Sequence, residues 1–148
     1  MLSVSSVVKS CFGVSMSQFV ATGYAFNRTR RQYLAKQLAT ADTHASRFLG
    51  LMGKTAAKFP QGQGLWIVPC RGVHTFFMRI PIDVVYLTEE NTVLHLEYGL
   101  RPWRFAPIRF QAASVLELPE NTVRATGTTI GDQLEINPHD AGDARPHE

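Results

Sequence analysis

The stretch Gly64–Leu87, GLWIVPCRGVHTFFMRIPIDVVYL, is the longest apolar-rich run of the chain. Its last six residues alternate. Ile82, Val84 and Tyr86 share one face of an extended strand, and Asp83, Val85 and Leu87 share the other. The polar quartet Thr88-Glu89-Glu90-Asn91 follows. Thr92–Tyr98 then resumes the alternation, with Leu94, Leu96 and Tyr98 against Val93, His95 and Glu97. Two runs of period two around four turn residues specify a β-hairpin. Upstream, Leu65–Val68 is apolar on both faces, which marks a strand covered on both sides, and Pro69 and Gly72 end it. Between these strands Val73, Phe76, Phe77 and Ile80 stand at i, i+3, i+4 and i+7. That spacing predicts one helical turn with its aromatics inward and His74 left at a rim.

Downstream, Gly99–Gln111 is irregular, because Pro102 and Pro107 break any strand ladder. Ser114–Leu118 and Thr122–Thr126 read as short strands joined at Pro119-Glu120-Asn121, a second hairpin. Asp132–Ile136 reads as a last strand with Leu134 and Ile136 inward. Upstream, Thr43–Met52 carries Ala45, Phe48, Leu49 and Met52 at helical spacing. Asp42 or Thr43 can cap its start and Gly53 its end. Gln32–Ala41 fits strand or helix by pattern. Residues 1–26 show no sustained period and are rich in Ser, so the chain divides into a flexible segment 1–31, a β-rich domain 32–137 and a flexible tail 138–148. Six or seven short strands with one clear helix predict a mainly β fold, a small sandwich or barrel with one or two short helices.

Composition narrows the function classes. At 148 residues with 45% hydrophobic and 18% charged residues, the chain is long enough for one real core and is not globally disordered. Fifteen Lys and Arg against twelve Asp and Glu give +3, an excess that permits an anionic partner without demanding one. Two cysteines, Cys11 and Cys70, cannot build a disulfide framework, which suits a reducing, cytoplasmic setting. No apolar run approaches the roughly 18–20 residues of a membrane helix. The first residues lack the basic n-region, unbroken apolar segment and small-residue site of a leader, and Met16 is an alternative start.

The order of these pieces resembles a known family. The residues are Arg47-Phe48-Leu49-Gly50-Leu51-Met52, then Gly64-Leu65-Trp66, then His74-Thr75-Phe76-Phe77-Met78 leading into Pro81-Ile82-Asp83-Val84-Val85-Tyr86-Leu87. Ala113-Ser114-Val115-Leu116-Glu117-Leu118-Pro119 and Gly131-Asp132 follow in collinear order. This resembles domain-of-unknown-function family 192, also called uncharacterised protein family 0127, from about Ala35 to Ile136. The resemblance implies a small jelly-roll-like β fold and favours a strand at Gln32–Ala41. It implies no activity, cofactor or catalytic residue. Where the family often reads Leu-Glu-Leu-Pro-Ala-Gly, this chain has Pro119-Glu120-Asn121, and Asn tolerates the same positive φ as Gly.

Several constellations could carry chemistry. Cys70, His74 and Met78 form C-x₃-H-x₃-M, soft ligands suited to copper(I). On a helix the outer two are about 12 Å apart along the axis. On a strand each neighbour is about 13 Å from the next. Neither brings three atoms within the roughly 2.0–2.3 Å of a metal bond, so no metal or cofactor is expected, and Cys70 and Met78 read as packing residues. A Cys70–His74 nucleophile pair needs a third group to orient the His, and Asp83 or Glu117 could serve. Alternation lets Glu117 face solvent. Asp83 shares a face with Val85 and Leu87, so if buried it needs a partner: an ion pair with Arg79 or Arg101, or backbone N–H groups.

Leu100-Arg101-Pro102-Trp103-Arg104-Phe105, continuing to Arg109-Phe110, interleaves Arg with aromatics. Such a loop can pack on the sheet, contact a ligand or protein, or stack single-stranded nucleic acid. Arg28-Thr29-Arg30-Arg31 reads as a solvated entry. The leading expectation is a non-enzymatic binding or interaction module for a small ligand or partner protein, with His74, Asp83, Arg101, Trp103 and Arg104 at its contact surface. An enzyme or metal protein using Cys70, His74 and Asp83 is the second reading. Nucleic-acid binding through residues 101–110 is the third.

Overall fold

The computed structural model describes residues 23–42 and 53–138. Seven strands form one curled sheet: β1 (Gly23–Asn27), β2 (Gln32–Ala41), β3 (Gln63–Ile67), β4 (Ile82–Leu87), β5 (Val93–Leu100), β6 (Ser114–Pro119) and β7 (Leu134–Asn137). Their order across the sheet is β5-β4-β6-β3-β2-β1-β7. All neighbours are antiparallel except β2 and β3. That parallel pair requires a crossover between the end of β2 at Ala41 and the start of β3 at Gln63. The predicted β4–β5 hairpin is present, and β2 settles as a strand.

The two edges of the sheet meet at one end. The N–H of Val93 donates to the Asp132 carbonyl at 2.9 Å, that of Gly131 to the Val93 carbonyl at 2.8 Å, and that of Leu134 to the Asn91 carbonyl at 2.9 Å. A β-bridge joins Thr92 to Gln133 beside them. These bonds roll the sheet into a half-barrel with an inner and an outer face. The inner face holds Leu34, Leu38, Val85, Leu116, Leu118 and Leu134. The outer face holds Leu65, Ile67, Val84, Tyr86 and Val115, covered by loop residues such as Phe59 and Met78. With both faces covered, β4 and β6 are buried along their whole length. Inside, β2 and β3 approach closely at Gly64, where a Cβ would lie 2.9 Å from that of Ala35.

Three expectations need correction. The sheet begins at Gly23, within the segment 1–31 read as a flexible tail: β1 pairs with both β2 and β7. Thr122–Thr126 is a short helix, α1, and not a strand. Its entry residue Asn121 has φ 71°, the conformation expected of a residue standing in for Gly, while the chain turns there into a helix instead of a hairpin. Residues 73–80 form an irregular turn without helix, and Phe77 points outward, 57% exposed. The helix expected over Thr43–Met52 and the tail expected beyond Pro138 lie outside the described residues. Among those residues no helix is long and apolar enough to cross a membrane.

The basic entry is more than a solvated turn. Arg30 Nε donates to Asp132 Oδ2 at 2.9 Å. Buried Asn27 donates to the same oxygen at 2.9 Å and to Thr128 Oγ1 at 3.1 Å. Burial pushes the Asp132 carboxyl up. Hydrogen bonds from Arg30, Asn27 and the Thr129 amide outweigh it and hold the group below its ordinary value. This knot ties the β1–β2 turn to the segment that closes the half-barrel.

Candidate functional site

Two loops lie side by side over the outer face: residues 68–81 between β3 and β4, and residues 101–113 between β5 and β6. Pro69, Pro81, Pro102 and Pro107 lack N–H groups, so neither loop can extend a regular ladder. They pair with each other at intervals instead. Arg109 N donates to the Arg71 carbonyl at 2.7 Å, Ala106 N to Val73 at 2.9 Å and Thr75 N to Arg104 at 2.8 Å, and a bridge joins His74 to Phe105. Gly72 permits this approach, because a Cβ there would sit 3.2 Å from Ile108 Cγ1.

Thr75 is the clasp. It is fully buried. Its hydroxyl donates to the Arg101 carbonyl at 2.6 Å and accepts from Arg104 N at 2.9 Å. Its carbonyl accepts from Trp103 N at 2.9 Å. One threonine thereby fixes the whole turn Arg101–Arg104. Trp103 and Phe77 both sit at φ 62°, a left-handed conformation that bulky residues seldom adopt. Backbone held in such a region gathers at functional sites, where the surrounding hydrogen bonds enforce it. The two rings meet at 4.8 Å between centroids, and Phe76 packs against Phe105 at 4.6 Å and His74 at 5.2 Å. The result is an aromatic crest flanked by the exposed Arg101 and Arg104.

Of the sequence candidates, the structure brings His74, Arg101, Trp103 and Arg104 together. Asp83 is elsewhere. By alternation with Val84 it faces the inner side, where its two oxygens accept from Gly99 N at 2.9 Å and Val123 N at 3.0 Å. Its partners are therefore backbone amides and not Arg79 or Arg101. Gly99, at φ 56°, is glycine at the point where a Cβ would strike the Glu120 carboxylate at 2.8 Å. Cys70 packs against the outer-face core and donates its thiol to the Gly72 carbonyl at 3.1 Å, and Met78 is buried beneath the turn. Cys70 and Asp83 thus occupy opposite faces of the sheet. Among the described residues no three His, Cys, Asp or Glu side chains gather as metal ligands would.

Sequence reasoning missed two features of the outer face. Glu117, read as solvent-facing, is 4% exposed. It lies in register with Leu65 on one side and Val84 on the other, both in the outer core. Its Oε2 is buried with no hydrogen-bond partner among the described residues, and burial pushes the carboxyl up to about 8. At the β5 edge, Arg109 Nη2 and Glu97 Oε1 both reach His95 Nε2, at 3.0 and 2.9 Å. Beside them Tyr86 donates to the Pro107 carbonyl at 2.7 Å, and burial pushes its hydroxyl up to about 12. The Arg109–His95 contact could not be read from sequence, since it depends on how the loop lies.

Comparison with known proteins places this architecture. A UPF0127 protein of Pyrococcus furiosus is 32% identical over 116 residues, spanning 75% of this chain and 96% of that protein. One from Thermococcus sibiricus is 29% identical over 114 residues, spanning 74% and 71%. A crystal structure of a protein of unknown function from Novosphingobium aromaticivorans superposes with TM-score 0.66 at 19% identity, covering 76% of this chain and 82% of that one. A Sinorhizobium meliloti structure does so at 0.65 with 21% identity, covering 77% and 91%. At these identities the two structures speak for the fold alone. The family model DUF192, described as Uncharacterized ACR, matches residues 25–136, and the chain belongs to that family.

Proposed function

We propose that this domain is a binding or interaction module whose contact surface is the crest of the paired loops. His74, Arg101, Trp103 and Arg104, with Phe77 and Phe105, make the contact, and a small ligand or a partner protein takes it. The observation that supports this most is the clasp. A buried threonine spends both sides of its hydroxyl and its backbone on holding Trp103 and the two arginines out toward solvent. Packing alone gives no reason for that, because exposed aromatics gain little from a fixed position until something covers them. Asp83 takes no part in this contact, since its oxygens hold Gly99 and α1 on the inner face. The enzyme reading built on Cys70, His74 and Asp83 is weaker, since Cys70 and Asp83 lie on opposite faces, and a nucleophile pair needs its orienting group within hydrogen-bond reach. A reducing compartment, where Cys70 stays a thiol, suits the module.

A photo-cross-linking residue at position 103, compared with one at Lys36 on β2, tests this. Discrete adducts from position 103 that are absent from position 36 are expected. Equal labelling from both positions, or none from 103, overturns the reading.

A further inference from the structure

The geometry points to an anionic lipid surface as the partner of this crest, a conclusion that rests on the contact surface proposed above. Of the eight large hydrophobic side chains exposed among the described residues, five stand on these two loops: Phe77 at 57%, Trp103 at 55%, Phe105 at 71%, Ile108 at 66% and Phe110 at 78%. That concentration is what an inserting edge requires, since scattered single residues need no explanation.

Charge supplies the complement. Residues 68–81 and 99–113 contain Arg71, Arg79, Arg101, Arg104 and Arg109 and not one Asp or Glu. Arg109 is held at His95 beside Glu97, and the other four positive charges still exceed the +3 net charge of the whole chain. A bare apolar edge flanked by arginines, with acids excluded, matches a bilayer whose headgroups are negative and whose interior is apolar. Trp103 suits the headgroup level, where an apolar ring with one N–H donor sits best. Arginine stems can lie along the apolar edge while their guanidinium groups reach phosphates.

The backbone fits as well. Peptide groups entering an apolar layer must already be paired. In this crest the cross-loop bonds pair part of the backbone, the amides of Thr75, Trp103, Ala106 and Arg109 with the carbonyls of Arg104, Thr75, Val73 and Arg71. Single-stranded nucleic acid fits less well. It stacks its bases on ring faces, and the edge-on contact of Phe76 with Phe105 at 77° occupies one such face. Ile108 has no ring to offer.

The test is sedimentation of the full chain with phosphatidylcholine vesicles, with and without phosphatidylglycerol. Binding that requires phosphatidylglycerol and weakens with added salt is expected. Each arginine held at an anionic surface multiplies partitioning about fivefold, so Arg101→Gln/Arg104→Gln should lose about 25-fold. These side chains take no part in the Thr75 bonds, which use backbone atoms, so the fold survives the change. Phe105→Ser/Phe110→Ser should lose binding at every salt concentration. The lipid assignment is overturned by equal binding to both vesicles, by variants that bind like wild type, or by vesicle indifference alongside oligonucleotide binding that the arginine variant abolishes. If vesicles are ignored while position 103 still gives discrete protein adducts, the lipid assignment falls and the interaction-module reading stands. If both fail, both fall.

Discussion

The carboxylate of Asp83 accepts the amide hydrogen of Val123 at 3.0 Å, across forty positions of sequence. Val123 is the second residue of α1, a helix with no side-chain cap of its own. The carboxylate therefore satisfies an N-terminal amide from outside, where negative charge is favoured. Its other oxygen takes Gly99 at the end of β5. Asp83→Ala leaves two amides without their acceptor, at about 1–3 kcal/mol each. Urea unfolding should show a loss of about 2–5 kcal/mol, and hydrogen exchange should quicken first at residues 122–126. A loss below about 0.5 kcal/mol, the range of an ordinary surface change, would show that the bond does not hold α1.

The clasp at Thr75 makes a separate prediction. Thr75→Val keeps the shape and deletes the hydroxyl, leaving Arg104 N–H and the Arg101 carbonyl short of a partner. The expected cost is about 1–3 kcal/mol. Faster amide exchange at Trp103 and Arg104 should accompany it, because their conformation loses its restraint. Contact through the crest should weaken even though no exposed side chain has changed. Unaltered exchange at Trp103 would mean that the φ 62° conformation is held by other contacts.

What could be read in advance followed the reach of the interactions. The β4–β5 hairpin is local, and its alternation and its Thr88–Asn91 turn were plain. The positive φ of Asn121 follows from the family resemblance, which puts Asn where relatives carry Gly. Thr122–Thr126 misled because its β-branched residues favour a strand, while the carboxylate that caps it as a helix comes from β4. β1 was hidden because small residues, Gly23 and Ala25, carry its buried face. Glu117 was misplaced for a different reason. Alternation marks a solvent side only where one face is wet, and here loops cover the outer face. The Arg and aromatic content of 101–110 was evident, but its pairing with the His74 loop is non-local and left no trace in either segment.

Asp132 makes closure of the half-barrel sensitive to acid. Its folded carboxyl titrates below the ordinary 3.8, with Arg30, Asn27 and the Thr129 amide as the groups that favour the ion. A group of this kind contributes stability above its unfolded value and loses it as pH falls through the folded one. Asp132→Asn should therefore be less stable than wild type at neutral pH, and the gap should narrow as pH drops below 3.8. The measurement is urea unfolding of both proteins through that range. A gap that stays constant would assign the effect to geometry instead of charge.

Glu117 carries the opposite sign. Burial raises its folded value from 4.5 to about 8, so between those values the folded protein keeps a proton that the unfolded chain releases. The folded state binds more protons, and stability must fall as pH rises from 4.5 to about 8, then level off. At pH 7 the accumulated loss is of order 3 kcal/mol. Glu117→Gln has nearly the same shape and no ionisation, so it should match wild type near pH 4 and exceed it at pH 7 to 8. Chemical denaturation across that range decides the matter. Parallel curves for the two proteins would mean that the carboxyl ionises freely in the fold, which requires a partner or water at Oε2. A divergence of the predicted sign shows instead that the outer core holds a protonated acid beneath the paired loops.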